Sequence, residues 1–360
     1  MNLEAILNSF RVPPSNYRFD QVHHGLINQS YKVTDLSSGQ PEYFLQSIDT
    51  YVFSNIDGLM ENIRLVLEHI NYKLSAGTLK ALKVLPRLVI SKKDSPYVKV
   101  DGACWRLYSF IEGAYDRQDR SIISAGEAGK LYGEFISSLT DLDPSLLTVT
   151  IPRFHDIGWR FEQFNTACST ASVERKEKSC EAIEFAHRME SKMKKSFSLI
   201  TRESVPIRIV HNDAKLSNVL FDEHGCGLTV VDYDTIMPGY LSLDVGDSLR
   251  TIASSLSEDD PHIEKVTFNI DLFKAYYNSF YQAVRSTILP IEIHSIEFSA
   301  VYMPFIMGLR MLTDYLNNDI YYHTDYDDHN LVRAKNQFKL VMEIESQSDA
   351  IHEFIHELST

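Results

Sequence analysis

Between Ile207 and Phe221 the chain reads IRIVHNDAKLSNVLF: two apolar runs enclose a polar stretch that holds His211, Asp213, Lys215 and Asn218. Apolar runs too short for helices and flanked by turn formers read as strands, so the polar stretch is a loop at a strand edge. Asn218 lies five residues after Asp213, and Asp232, in TVVDYD, follows 14 residues beyond Asn218 at the end of a further apolar run. Three oxygen donors therefore stand at the edges of short strands, on a support rigid enough to aim them. Any fold for this chain has to place that loop against the rest of the molecule.

What precedes the loop is strand-rich. NYRFDQV and SYKVTDL read as strands around the break VHHGLIN (Val22 to Asn28), followed by a turn at SSGQ and a mostly buried strand at YFLQSI (Tyr43 to Ile48). From Ile56 onward Leu59, Met60, Ile63, Val66, Leu67, Ile70 and Leu74 share one helical face, with Ser54 or Asn55 as N-cap. RLVIS (Arg87 to Ser91), YVKV (Tyr97 to Val100) and CWRLYSFI (Cys104 to Ile111) predict two or three more antiparallel strands. The alternation stops near Glu112 and Gly113. Beyond that point helical periodicity dominates, through AGEAGKLYGEFISSL, Ile157 to Ala167, a charged stretch around Val173 to Phe197, and nearly everything after Asp247. The expectation is α+β and bilobal: residues 1–111 form a small antiparallel-sheet lobe with one helix, and residues 112–360 a larger, mainly helical lobe. Two lobes imply a cleft, and 360 residues are enough to bury a core in each.

Charge narrows the function. With 35 basic against 49 acidic residues the formal net charge is −14, which repels nucleic acid and anionic lipid. A polyanion such as ATP can still bind if a local cation or a metal supplies positive charge. Cys104, Cys168, Cys180 and Cys226 show no CxxC pair and no nearby His at ligand spacing, so they read as reduced, buried thiols. No apolar run reaches membrane-spanning length and no basic segment precedes the first apolar patch, so a cytoplasmic protein that acts as a monomer is expected.

A carboxylate and an amide oxygen are hard ligands suited to Mg²⁺, which phosphate-transfer sites hold through one or two protein groups plus the nucleotide. HxDxxxxN followed by an Asp is the protein-kinase arrangement, which makes the expected fold protein-kinase-like. In that arrangement Asp213 takes the acceptor hydroxyl's proton, Asn218 and Asp232 hold metal, and Lys215 offsets charge on the transferring phosphoryl group. His211, Asp244 and Asp247 read as supports that brace the loop. The competing reading has Asp213 and Asn218 as turn caps and Lys215 as a solvated cation.

The nucleotide end departs from the protein-kinase pattern. VHHGLINQSY has only Gly25 where a glycine-rich loop would lie, with Asn28 and Ser30 as donors to phosphate oxygens. The third strand carries Gln46 and no Lys, so the usual ion pair to the following helix is missing, although Glu61 on that helix could make a related contact. Adenine would lie against SFIEG, using Phe110, Ile111 and Glu112.

With these motifs the chain resembles the kinase-like phosphotransferases of small molecules, the aminoglycoside phosphotransferases and choline kinases, and more closely the N-acetylhexosamine 1-kinases. GLINQSY, YFLQSIDTYVF, CWRLYSFIE, RFHDIGWRFEQF, HNDAKLSNVL, VVDYDTIMPG, LDVGDSLR, GLRMLTDYLNNDIYY and HNLVRAKNQFKLV carry the resemblance in order over most of the chain. It implies transfer of the γ-phosphoryl of ATP to the anomeric hydroxyl of N-acetylglucosamine or N-acetylgalactosamine, with Mg²⁺. It also implies that Gln46 is family usage and that Arg310 and Tyr321 contact the sugar, where a guanidinium and a phenol suit hydroxyls and a carbonyl. One departure stands out: the family's loop often has His directly after the Gly, whereas Leu26 follows Gly25 here and His23 and His24 precede it. Two alternatives compete. One keeps the fold but takes a choline, aminoglycoside or other amino-alcohol acceptor, with DYDDH (Asp325 to His329) lining its pocket; the other is a nucleotide-binding pseudokinase.

Overall fold

The computed structural model describes residues 2–22, 28–116 and 119–359. A short helix, α1 (Leu3–Leu7), precedes strands β1 (Tyr17–Val22), β2 (Gln29–Asp35) and β3 (Pro41–Ile48). Helix α2 (Ile56–Ser75) follows, capped by the Asn55 side chain, and then β4 (Val98–Val100) and β5 (Ala103–Ser109). The five strands make one antiparallel sheet in the order β1-β2-β3-β5-β4. Alternation sorts its side chains as a pleated strand requires. Val33, Leu45, Trp105 and Leu107 pack with Ile6, Leu7 and Phe10, while Ile48, Cys104 and Tyr108 join α2 in the main core. The register sets Gln46 directly opposite Arg106.

Arg87 to Ser91, expected as a strand, makes only isolated bridges, Leu88 to Tyr108 and Ser91 to Phe10. The segment runs along the same edge of β5 that β4 uses. The Val89 N–H donates to the Leu107 carbonyl at 2.8 Å, while β4 pairs with Ala103 to Trp105. One short edge divided between two segments leaves no room for a further strand.

After β6 (Tyr115–Asp116) come helices α3 (Ile122–Ser138), α4 (Ile157–Thr170), α5 (Val173–Lys178) and α6 (Cys180–Ile200). The charged stretch at 173–197 is thus two helices, broken at Ser179, whose hydroxyl turns back to donate to the Arg175 carbonyl. Strands β7 (Arg208–Val210), β8 (Val219–Phe221), β9 (Gly227–Val230) and β10 (Met237–Gly239) form two small sheets, β10-β7 and β6-β8-β9. The rest is helical: α7 (Leu241–Ile252), α8 (Ile270–Val284), α9 (Pro290–Leu316), α10 (His329–Ser346) and α11 (Ser348–Ser359).

Two close helix contacts bring supports to the strand region. A Cβ at Gly129 of α3 would lie 2.2 Å from the Tyr276 carbonyl of α8, and one at Gly246 of α7 would lie 2.4 Å from the Ser299 carbonyl of α9. Only glycine permits backbones to approach so closely. Helix α2 is pinned to the helical part by Asn62, 1% exposed, whose amide donates to the Thr148 and Ile236 carbonyls at 2.7 and 2.9 Å. The cysteine expectation needs correcting: Cys104 is buried, but Cys180 at the start of α6 and Cys226 in the β8–β9 turn are exposed. Among the described residues no helix is long and apolar enough to cross a membrane.

Candidate active site

The loop between β7 and β8 is held from below by α7. The Asp244 carboxylate accepts the backbone N–H groups of His211 and Asn212, each at 2.7 Å. Those bonds fix Asn212 in the left-handed region, at φ +61°. On the same helix the Ser248 hydroxyl donates to the Ala214 carbonyl at 2.5 Å, and Thr251 accepts the Leu216 N–H at 3.0 Å. From α3 the Tyr132 hydroxyl donates to the Lys215 carbonyl at 2.8 Å. His211 is fully buried and meets the Val231 carbonyl through Nε2 at 3.0 Å, which joins the loop to the segment that carries Asp232. Burial pulls the imidazole down to about 4, so it is neutral. Asp247 pairs with Arg250 at 2.7 Å.

On this base three side chains converge. Lys215 Nζ lies 2.8 Å from Asp213 Oδ2, and the Asn218 amide donates to the same oxygen at 3.0 Å and to the Asp213 carbonyl at 2.8 Å. Burial alone would raise the Asp213 carboxyl, but the Lys215 ammonium outweighs it and holds the group well below its ordinary value. Asp213 is therefore a carboxylate at neutral pH, able to accept a proton.

The donor set fits a hard cation. Both bonds from Asn218 use its amide nitrogen, which leaves Oδ1 as the free acceptor. Asp232, at φ +67°, turns its carboxylate to the open cleft and takes up no hydrogen bond or ion pair among the described residues. Its position deep between the two parts, together with Asp234 and Asp213, raises its pKa, and such crowding of like charges is relieved by a bound cation. Mg²⁺ takes one or two protein groups and completes its shell with phosphate and water, and Asn218 Oδ1 and the Asp232 carboxylate are groups of that kind.

Above Asp232 an ion pair stands that sequence reasoning missed. Arg106 of β5, 1% exposed, pairs through Nη1 with Asp234 and donates from Nε and Nη2 to Gln46 Oε1 at 3.1 and 2.9 Å. The Gln46 amide in turn donates to Ser30 at 3.0 Å, and the Asn28 amide to Asp234 at 2.6 Å. The cation absent from position 46 thus comes from the neighbouring strand. Asp234 is the counter-ion of Arg106. The signal was a lone Arg inside the apolar strand CWRLYSF, since a charge buried in a strand needs a partner. Glu61 does not serve: it pairs with Arg64 on its own helix at 2.6 Å.

A cavity of about 280 Å³ under the sheet is lined by Ser30, Gln46, Arg106, Tyr108, Phe110 and Ile111 above and by Asn218 and Asp232 below. Glu112 is exposed and outside that lining, and Asn28 faces the adjoining cavity instead. Gly25 and Leu26 lie outside the described residues. The adjoining cavity, about 130 Å³, holds Asp213 and Lys215 on one side and Phe154, His155, Arg310, Tyr321 and Tyr322 on the other. Arg310 is buried, with its guanidinium 4.8 Å from the Phe154 ring and 5.9 Å from that of Tyr321. Asp325 to His329 line none of the cavities around this site; Asp328 is taken up by Lys178 and Tyr315.

Comparison with known proteins agrees with this geometry. A model described as the phosphotransferase enzyme family, APH, matches residues 19–276. A spectinomycin phosphotransferase solved with ADP and spectinomycin superposes with a TM-score of 0.61 at 13% identity, covering 96% of this chain and 97% of that one. An ethanolamine kinase of Plasmodium vivax gives 0.58 at 16% identity, over 89% and 82%. A choline/ethanolamine kinase family protein from Mesorhizobium loti gives 0.58 at 12%, over 99% and 98%. These likenesses carry the α+β kinase-like fold.

Proposed function

Since the chain belongs to the APH phosphotransferase family and is a small-molecule kinase, we propose that it transfers the γ-phosphoryl of ATP to the anomeric hydroxyl of an N-acetylhexosamine, with Mg²⁺. The observation that carries the reading is the small cavity in which the Asp213 carboxylate faces Arg310, Tyr321 and Tyr322. A guanidinium and two phenols offer hydrogen bonds to sugar hydroxyls and an N-acetyl carbonyl. A cationic acceptor would meet the buried Arg310 guanidinium there, but also Asp213, Asp247 and Glu258 and the rings of Phe154, Tyr321 and Tyr322, so the acceptor panel has to include cations.

In the step proposed, the acceptor oxygen bonds to the γ-phosphorus, the bond from that phosphorus to the β–γ bridging oxygen breaks, and ADP leaves. The hydroxyl proton passes to Asp213, which the Lys215 and Asn218 contacts hold in place. Asn218 Oδ1 and Asp232 would hold Mg²⁺, which would offset the charge of the phosphates. Lys215 lines the cavities on both sides of the loop and adds a second positive charge. Ser30, Gln46, Phe110 and Ile111 would contact the nucleotide, with Arg106 close behind Gln46.

ADP release with Mg·ATP, measured over N-acetylhexosamines, neutral hexoses, choline, homoserine and aminoglycosides, tests the reading. Turnover of N-acetylhexosamines that is lost in Asp213→Ala supports it. Turnover confined to the cations would overturn it.

A further inference from the structure

Two cavities meet at Arg310. The inner one, about 130 Å³, holds Asp213; the outer, about 450 Å³, opens between Tyr51, Trp159, Arg160 and Asn317, and Arg310, Tyr321 and Tyr322 line both. A single sugar ring beside Asp213 would leave the larger volume unused.

Two guanidiniums, Arg160 and Arg310, and two carboxylates, Glu162 and Asp314, line the outer cavity, and among the described residues the guanidiniums are not paired with the carboxylates. Arg160 donates from Nε and Nη2 to the Phe154 carbonyl at 3.2 and 2.8 Å and from Nη1 to Gln163 at 2.9 Å, all neutral acceptors. Arg310 faces aromatic rings and the Met307 sulfur, 3.4 Å away. Arg153 stacks on Trp159 at 5.3 Å. Among the described residues none of the three has a carboxylate at ion-pair distance. Of the three only Arg310 is buried, Arg160 being half-buried and Arg153 exposed, and the other buried arginines do have one: Arg106 has Asp234, Arg250 has Asp247, and Arg333 has Asp259. Of the two carboxylates in the lining, Asp314 spends both oxygens on the N–H groups of Ile320, Tyr321 and Tyr322 and on the Asn330 amide, and Glu162 is exposed. Burial and the neighbouring Arg310 pull Arg160 down to about 10, so it keeps its charge at neutral pH. A desolvated guanidinium without a counter-ion costs several kcal/mol, and a chain with 49 acidic residues had many ways to supply one. A ligand anion could act as the counter-ion of Arg310.

We propose that the acceptor is an acidic disaccharide. Its reducing N-acetylhexosamine ring lies beside Asp213, and its second ring, a uronic acid, fills the outer cavity with the carboxylate on Arg160 and Arg310. Arg–carboxylate contacts are commonly bidentate and among the stronger charged hydrogen bonds, and Trp159 and Tyr51 offer flat surfaces to the second ring. The group transfer itself is unchanged. The inference rests on the N-acetylhexosamine reading and extends it outward from the anomeric carbon.

The test compares two disaccharides of one linkage, glucuronyl- and glucosyl-N-acetylhexosamine, with the free N-acetylhexosamine. We expect kcat/KM to favour the acidic disaccharide roughly tenfold over the neutral one, with the preference shrinking as salt rises. Calorimetry without nucleotide should give the same order of Kd. Arg160→Gln should lower the acidic-to-neutral ratio toward one, and Arg160→Lys should keep part of it. A ratio near one in the parent protein, with the free N-acetylhexosamine turned over, overturns the inference and leaves the proposed function standing. Turnover of none of the three overturns both. Preference for N-acetylhexosamine 6-phosphate over the acidic disaccharide overturns the second ring.

Discussion

Replacing Asp244 by Asn tests whether the catalytic loop is aimed from below. The carboxylate touches neither cavity, yet it accepts two backbone N–H groups at 2.7 Å and holds Asn212 at φ +61°. Asn keeps one oxygen for one N–H and turns an NH₂ toward the other, so a charge-assisted bond is lost and a buried donor is stranded. Those terms are about 1.5–3 and about 1–3 kcal/mol, which together make about 2.5–6 kcal/mol, a large share of a typical total of about 5–15. Burial, with Asp247 and Asp213 nearby, raises the Asp244 carboxyl to about 7 against the pull of the two N–H groups, so removing the buried charge offsets part of that loss. The comparison therefore belongs at pH 8, where the carboxylate is the form replaced. Urea titration should show the stability loss, and single-turnover phosphoryl transfer should fall at least tenfold while nucleotide Kd stays within about threefold. Ser248→Ala, which removes one bond to the Ala214 carbonyl, should cost about 1 kcal/mol. If Asp244→Asn lies within about 0.5 kcal/mol of the parent and transfers at the parental rate, α7 does not aim the loop.

Arg106→Met leaves Asp234 buried without its cation and should cost about 3–5 kcal/mol by urea titration; adding Asp234→Asn should return part of it, and a double variant no better than the single refutes the stranded-charge account. Burial lowers His211 to about 4 and His155 to about 3, below the ordinary 6.5, so between those values the unfolded chain binds more protons than the folded one. Their contribution is therefore present above pH 6.5 and is lost as pH falls, by about 2 kcal/mol each at pH 5. Equilibrium unfolding of His155→Gln at pH 7 and 5 checks this, and an unchanged pH 7-to-5 loss rules it out. Gly129→Ala should destabilise by about 1–3 kcal/mol because its Cβ meets backbone, whereas Gly126→Ala on the same helix, with its nearest neighbour a hydroxyl at 3.4 Å, should gain up to about 1 kcal/mol; equal thermal shifts would contradict the packing argument.

What could be read from the sequence is what the chain keeps local. Asp213, Lys215 and Asn218 share one loop, and five residues of spacing are enough to bring the Asn218 amide onto Asp213. Helix α2 was legible from one apolar face and an Asn cap. The partners of Gln46 were not, because they depend on register. Arg106 reaches it across β3 and β5, and Asp234 joins them from 128 residues further along the chain. Periodicity gives the type of an element and leaves its neighbour open, so a missing Lys at position 46 looked like a missing charge. The sheet shows why it was not: directly opposed residues on adjacent strands occupy nearly the same place, and a cation moved from one to the other still stands over the same cleft. The outer arginines raise the same problem in reverse. RFHDIGWR showed two of them in plain view, but their want of carboxylates follows only from the packing of α4 against α9, which brings Arg160 toward Arg310 and leaves Asp314 occupied. A charged residue's function in this chain is therefore set less by its own position than by whether the fold supplies its counter-ion.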